Sequence, residues 1–327
     1  MINRLLQKIN RVDIRKFRFW IQLLFFIVFV YGGYLAIDLG REIPVFSCGY
    51  NRETGGVCYF MPLQHQLARP WDRLFSMASI GVLGAFLTFL LWFVVFNKAW
   101  CGYACPLGTM QDWITAIRKR LRIPYSSYSE SDYKFLKKIK YIFLLIVILF
   151  PLLIGAGLLD GEWRAAFCKM CPGRLITPLF VGDFSQWSID FSSNTAIFLT
   201  TFGIAFSALF IVGSFVKKRF FCFYCPMSAM HYVFSPFALL KLKKEGDKCT
   251  KCGDCYRVCD MQIFDIADDV VSRNILRDDC ILCLKCIAAC PEEDALHLDI
   301  VNMALFRSTK DGFAKRMGLE KDLFDER

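Results

Sequence analysis

CTKCGDCYRVCD at 249–260 and CILCLKCIAACP at 280–291 decide the architecture of the C-terminal third. Each stretch sets four cysteines in a C-x2-C-x2-C-x3-C run, a spacing that serves [4Fe–4S] cubanes. Three thiolates on one tight loop reach three irons of a cubane. The fourth starts a helix and reaches the cubane of the other loop. The spacing therefore predicts one cluster on Cys249, Cys252, Cys255 and Cys290, and a second on Cys280, Cys283, Cys286 and Cys259. A zinc-binding repeat built on C-x2-C pairs is the structural alternative. It is disfavoured because four cysteines within so short a run, twice over, exceed what a tetrahedral zinc site needs. One departure stands out. Asp260 occupies the place after the fourth cysteine that Pro291 holds in the second run.

Upstream the composition changes. The chain has 327 residues, 55% of them hydrophobic, against about 45–50% in soluble domains. Four segments, 17–37, 75–96, 141–159 and 195–216, are long and apolar enough to cross a hydrocarbon core of ~30 Å. Pro151, Gly155 and Gly157 interrupt the third and predict a kink. Lys and Arg gather before the first segment, between the second and third, and after the fourth. The connections 38–74 and 160–194 are poorer in both. Positive charge marks the cytoplasmic side, so both termini are expected in the cytoplasm and the protein in a cytoplasmic (inner) membrane. The net charge of +10 is accounted for by these flanks, which argues against nucleic acid as a partner. The first segment lacks a small-residue cleavage site and is expected to stay as an anchor. The expected fold is thus an integral membrane all-α domain of four transmembrane helices (1–240), an α+β two-cluster bacterial ferredoxin-like domain (241–300), and a tail (301–327).

Eight more cysteines lie outside the ferredoxin runs. Cys101 and Cys105 sit in WCGYACPLGTMQDW after the second segment, and Cys222 and Cys225 in FFCFYCPMSAM after the fourth. Both pairs are expected at the cytoplasmic face. Each precedes a proline suited to start a helix, whose N–H groups would favour thiolate or cluster charge. Cys48, Cys58, Cys168 and Cys171 are expected on the opposite face, the latter two in FCKMCPGR. All eight are candidates for one or two additional iron–sulfur clusters or for redox thiols. Disulfides are the alternative on the oxidising side. The three histidines are too few for a multihaem protein, and no CxxCH motif is present. His65 and His231 are candidates for proton exchange with a quinol, because imidazole titrates near neutrality. An ordinary interfacial role for each is the simpler alternative.

CGYACPLGTMQDW, CKMCPG at 168–173 and CFYCPMSAM leading into the double run resemble, in kind and order, the NapH-, NosR- and CcoG-like membrane polyferredoxins. The resemblance covers about residues 75–295, and the layout is most similar to the NapH type. It implies an electron-transfer subunit of the quinol dehydrogenase type. Such a subunit would move electrons between the quinone pool, or a cytoplasmic donor, and a periplasmic cytochrome or iron–sulfur partner, within a multi-subunit complex. The CcoG-like members imply a rival role, a metal- or disulfide-reducing maturation factor. A redox sensor without turnover is a third.

Overall fold

The structure, a computed structural model, describes residues 12–34, 58, 60–70, 77–124, 126–277, 279–301 and 303–316. Its helices in chain order begin with α1 (Ile14–Val30), α2 (Phe60–Leu67), α3 (Met77–Phe96), α4 (Ala99–Tyr103) and α5 (Pro106–Arg120). They continue with α6 (Glu130–Gly155), α7 (Ala166–Met170), α8 (Pro172–Ile176), α9 (Asn194–Val216) and α10 (Pro226–Phe234). Two compact units result. One gathers Met1–Gln22, Phe93–Tyr103 and His231–Arg327; the other gathers Leu23–Trp92 and Ala104–Met230. Two upstream segments thus group with the stretch that begins at His231.

In the helical unit, α6 and α9 are long and apolar enough to cross a membrane. Ser129 caps α6 by accepting from the Asp132 amide at 3.2 Å. Glu130 and Asp132 in the first turn suit the positive end of the helix dipole. Ser193 caps α9 in the same way, accepting from Ala196 N at 3.1 Å. Only 17% and 33% of their apolar windows are buried, so residues such as Leu145, Phe198 and Val212 face outward. Water does not favour that arrangement and lipid does. α6 starts eleven residues before the expected segment and runs through Pro151 to Gly155. The first expected segment is cut shorter: α1 has 17 residues, and a 3-10 turn follows at Gly32–Tyr34. Residues 35–37 lie outside the described residues. α3 spans 20 residues, none of them charged.

The C-terminal unit carries a three-stranded antiparallel sheet in the order β1 (Leu240–Lys244), β2 (Leu296–Ile300), β3 (Met303–Arg307). Leu240 pairs with Ile300 and Lys244 with Leu296. β3 lies within the expected tail, which is therefore partly sheet; a helix, Lys310–Arg316, follows it. Strand alternation turns Leu240, Leu242 and Lys244 inward together. The two cysteine loops share one backbone signature. Residues two and four places after the first cysteine have positive φ: Lys251 (57°) and Gly253 (80°) in one loop, Leu282 (48°) and Leu284 (61°) in the other. A non-glycine residue there costs roughly 1–2 kcal/mol, so these loops are held open by what surrounds them.

One glycine is fixed by packing in the same unit. A Cβ on Gly102 of α4 would stand 2.4 Å from the Ile281 carbonyl oxygen. The Gly102 carbonyl also accepts from Arg18 Nε at 3.0 Å and Gln22 Nε2 at 2.9 Å. Gly102→Ala should force α4 off the second cysteine loop, at a cost of roughly 1–3 kcal/mol. The check is the temperature at which the visible iron–sulfur absorbance bleaches. An unchanged temperature would contradict this close approach.

Candidate iron–sulfur centres

Cys249, Cys252, Cys255 and Cys290 line one pocket. Lys244 also lines it. Its side chain is buried and its Nζ donates to the carbonyls of Ile266 and Ala267 at 3.0 and 2.9 Å. Burial pushes the Cys255 thiol up to about 11, and the Lys244 charge opposes that rise. Cys290 is raised by burial, with Cys252 and Cys249 adding to it and the Glu292 amide opposing. The fourth cysteine of the second run thus stands among the first three of the first run.

The reciprocal grouping holds for the other set. Cys259 is raised by burial and then by the charges of Cys283 and Cys280. Cys286 is raised well above the ordinary thiol value by burial, with Cys283, Cys280 and Cys259 adding to it. Burial pushes Cys280 up to about 12, while the Leu282 amide donates to its sulfur at 3.5 Å. Thiols held this high bind a metal only by giving up their protons to it. Among the described residues no three His, Cys, Asp or Glu converge on one point fit for a single ion. A cubane spreads its four ligands around four irons, and soft thiolates are the donors it takes. The donor set and the pocket fit that group, and the described thiols are free of disulfides.

Beside the second set lies a buried ionic network that spacing does not reveal. Asp260 Oδ2 receives Arg18 Nη1 at 3.1 Å and Lys285 Nζ at 2.5 Å. The Asp260 and Arg18 side chains are 6% and 4% exposed. The residue that departs from proline thus anchors α1 and α4 to the cluster loop. The Tyr103 hydroxyl donates to the Cys283 carbonyl at 3.4 Å, in the same unit.

The remaining cysteines are grouped differently from the expectation. Cys101 belongs to the C-terminal unit, with its sulfur 3.6 Å from His231 Nδ1. Burial and then the Lys98 charge hold His231 far below its ordinary value, at about 3. It stays neutral at physiological pH, and its ring packs edge-on against Phe93. That environment removes it from ready exchange of protons with solvent. His65 is exposed on α2; burial of part of the ring and then the Arg164 charge lower it.

Cys105, Cys222, Cys225, Cys58, Cys168 and Cys171 all fall in the helical unit. Cys105 and Cys171, expected on opposite faces, pack against the same core of Phe26, Leu107, Ile176, Phe206 and Phe221. The width of a bilayer does not separate them. The cause is the connection 160–194, which folds back against α9 as α7 and α8 rather than staying outside the bundle. Cys225 touches that core too. Gln111 Nε2 lies 3.9 Å from the Cys222 sulfur, and its Oε1 accepts from Phe221 N at 2.9 Å. Arg219 holds Asp112 through Nε at 2.9 Å and Nη2 at 2.5 Å. Cys48 lies outside the described residues.

Comparison with known proteins agrees with this chemistry. A family model described as a 4Fe-4S binding domain matches residues 78–124 and 199–245, and one described as a 4Fe-4S dicluster domain matches 241–291. An uncharacterized protein of Methanocaldococcus jannaschii is 25% identical over 67% of this chain and 70% of its own length. The ferredoxin-type protein NapH of Haemophilus influenzae is 24% identical over 66% of this chain and 67% of its own length. The regulatory protein NosR of Pseudomonas aeruginosa is 24% identical over 80% of this chain but only 33% of its own. No solved structure matches. The two motif-bearing helix ends and the dicluster region are matched in the order in which this sequence presents them, and these likenesses support a NapH/NosR-type family of iron–sulfur polyferredoxins.

Proposed function

We propose that the chain is a membrane-embedded electron carrier with two cross-ligated [4Fe–4S] clusters in its C-terminal unit. Cys249, Cys252, Cys255 and Cys290 hold one, and Cys280, Cys283, Cys286 and Cys259 hold the other. The observation that supports this most is the position of Cys290 in the pocket of Cys249, Cys252 and Cys255. Each cluster, when bound, stores and releases one electron. The protein's own residues set the conditions for that. Lys244 stands as a buried cation beside the first thiolate set, and Lys285 and Arg18 flank the second through Asp260. Cation charge offsets the negative charge of ligation and favours reduction. Ile263, Leu282 and Ile287, all nearly inaccessible, keep water from the thiolates.

In this reading four helices span the cytoplasmic membrane with both termini in the cytoplasm. Electrons pass between the quinone pool or a cytoplasmic donor and a periplasmic redox partner, in a complex. His65, exposed where His231 is sealed, is the histidine suited to exchange a proton with a quinol. The test uses the full chain, prepared anaerobically and placed in lipid with a reduced quinol analogue. Stoichiometric bleaching of the cluster absorbance, blocked by a quinone-site inhibitor, is the expected result. No electron exchange with quinol, together with turnover of added cupric or ferric ions, would overturn it in favour of a metal-reducing role.

A further inference from the structure

Three cysteines of the helical unit, Cys58, Cys168 and Cys171, lie outside every stretch matched by an iron–sulfur family model. Their placement is specific. The Cys168 side chain is buried, and its sulfur accepts from Gln64 Nε2 at 3.0 Å. Gln64 sits on α2, whose first turn begins at Cys58, with Met61 N donating to the Cys58 carbonyl at 2.9 Å. α7, which carries Cys168, presses on α9 at Gly203, where a Cβ would stand 2.9 Å from the Lys169 carbonyl oxygen. Gly203 is ~14 Å along a helix ~34 Å long, so these thiols lie deep beside α9. Irregular backbone at that depth is tolerated only where protein buries it. Cys171 faces the aromatic core shared with Cys105. Gln64 Nε2 also donates to the Phe60 carbonyl at 3.0 Å, which sets the Cys168 sulfur beside the turn that follows Cys58, and Cys171 N donates to the Cys168 carbonyl at 3.4 Å. Contacts thus link Cys58 to Cys168, Cys168 to Cys171, and Cys171 to Cys105 through the shared core, all within one unit.

We propose that Cys58, Cys105, Cys168 and Cys171 ligate a further [4Fe–4S] cluster inside the helical unit, at the depth of Gly203. Four thiols release four protons as four Fe–S bonds form to a preassembled [4Fe–4S] core, and the bound cluster then gains or loses one electron. The donor set is all thiolate and its walls are aromatic, and an amide N–H meets a ligand sulfur. That is the chemistry of an iron–sulfur site rather than of a hard cation. The site rests on the chain being an iron–sulfur protein, but not on the assignment of its eight C-terminal cysteines. It would give an electron a stopping point within the ~30 Å hydrocarbon core.

The test is iron and acid-labile sulfide per full chain, prepared anaerobically in detergent, with EPR of the reduced sample. About twelve irons are expected, against about eight if only the C-terminal clusters exist. Cys58→Ala, Cys168→Ala and Cys171→Ala should each remove about four irons and one EPR signal, leaving the C-terminal signals intact. Gln64→Leu keeps every ligand and should shift the potential of the third centre downward, because a hydrogen bond to the sulfur is lost. About eight irons in the unaltered chain, with only two centres in a redox titration, overturns the proposal and leaves the two-cluster reading standing. An iron-free chain overturns both. Signals unaffected by all three cysteine variants also overturn it.

Discussion

Asp260→Ala should destabilise the C-terminal unit by about 3–5 kcal/mol, the cost of breaking a buried ion pair from one side. Asp260 receives Arg18 at 3.1 Å and Lys285 at 2.5 Å, and the Arg18 side chain is only 4% exposed. The substitution leaves two cations without this carboxylate. Arg18 suffers most, because Lys285 keeps 25% of its side chain in solvent. Asp260→Asn, which retains a hydrogen-bond acceptor but not the charge, should fall between the two. Asp260→Pro restores the residue type that Pro291 supplies in the second run, yet should be as damaging as alanine. Pairing Asp260→Leu with Arg18→Met should recover much of the loss, since apolar replacement of both partners is often neutral or better. Thermal bleaching of the cluster absorbance checks each variant. A wild-type bleaching temperature in Asp260→Ala would show that the network contributes nothing.

The second large effect separates cross-ligation from its simpler rival. Cys252→Ala and Cys290→Ala should delete the same EPR centre, although 38 residues separate them in sequence. Cys283→Ala and Cys259→Ala should delete the other. Each deletion should remove about four of the eight C-terminal irons. If each cysteine run held its own cubane, Cys252 would pair with Cys259 and Cys283 with Cys290. The pocket that brings Cys290 to Cys249, Cys252 and Cys255 predicts the crossed outcome.

Much of this was legible in the residues, for different reasons in different places. The cysteine runs are local and their spacing is dictated by the cubane, so the crossed grouping follows without a fold. The apolar character of α6 and α9 follows from composition. The start of α6 at Glu130 did not, because hydropathy reports where the chain is apolar and not where Ser129 caps it. Lys244 was legible in principle: LKLKK places it in phase with Leu240 and Leu242, which turns it inward. Asp260 showed as a departure from proline, but its partner Arg18 stands 242 residues away, beyond any local pattern. The charge pattern of connection 160–194 does not reveal that Cys105 and Cys171 pack against one core. α7 and α8 fold against α9, where Gly203 leaves room for the backbone of α7. His231 reads as an ordinary titrating side chain until its burial beside Cys101 and Lys98 is seen.

EPR of the dithionite-reduced full chain, quantified against its iron content, tests the account most directly. It should show two paramagnetic [4Fe–4S] centres from the C-terminal unit, close enough to broaden one another, with each signal sharpening when Cys290→Ala or Cys259→Ala removes its neighbour. Protein that carries zinc, mononuclear iron or no metal at all on these eight cysteines would contradict it.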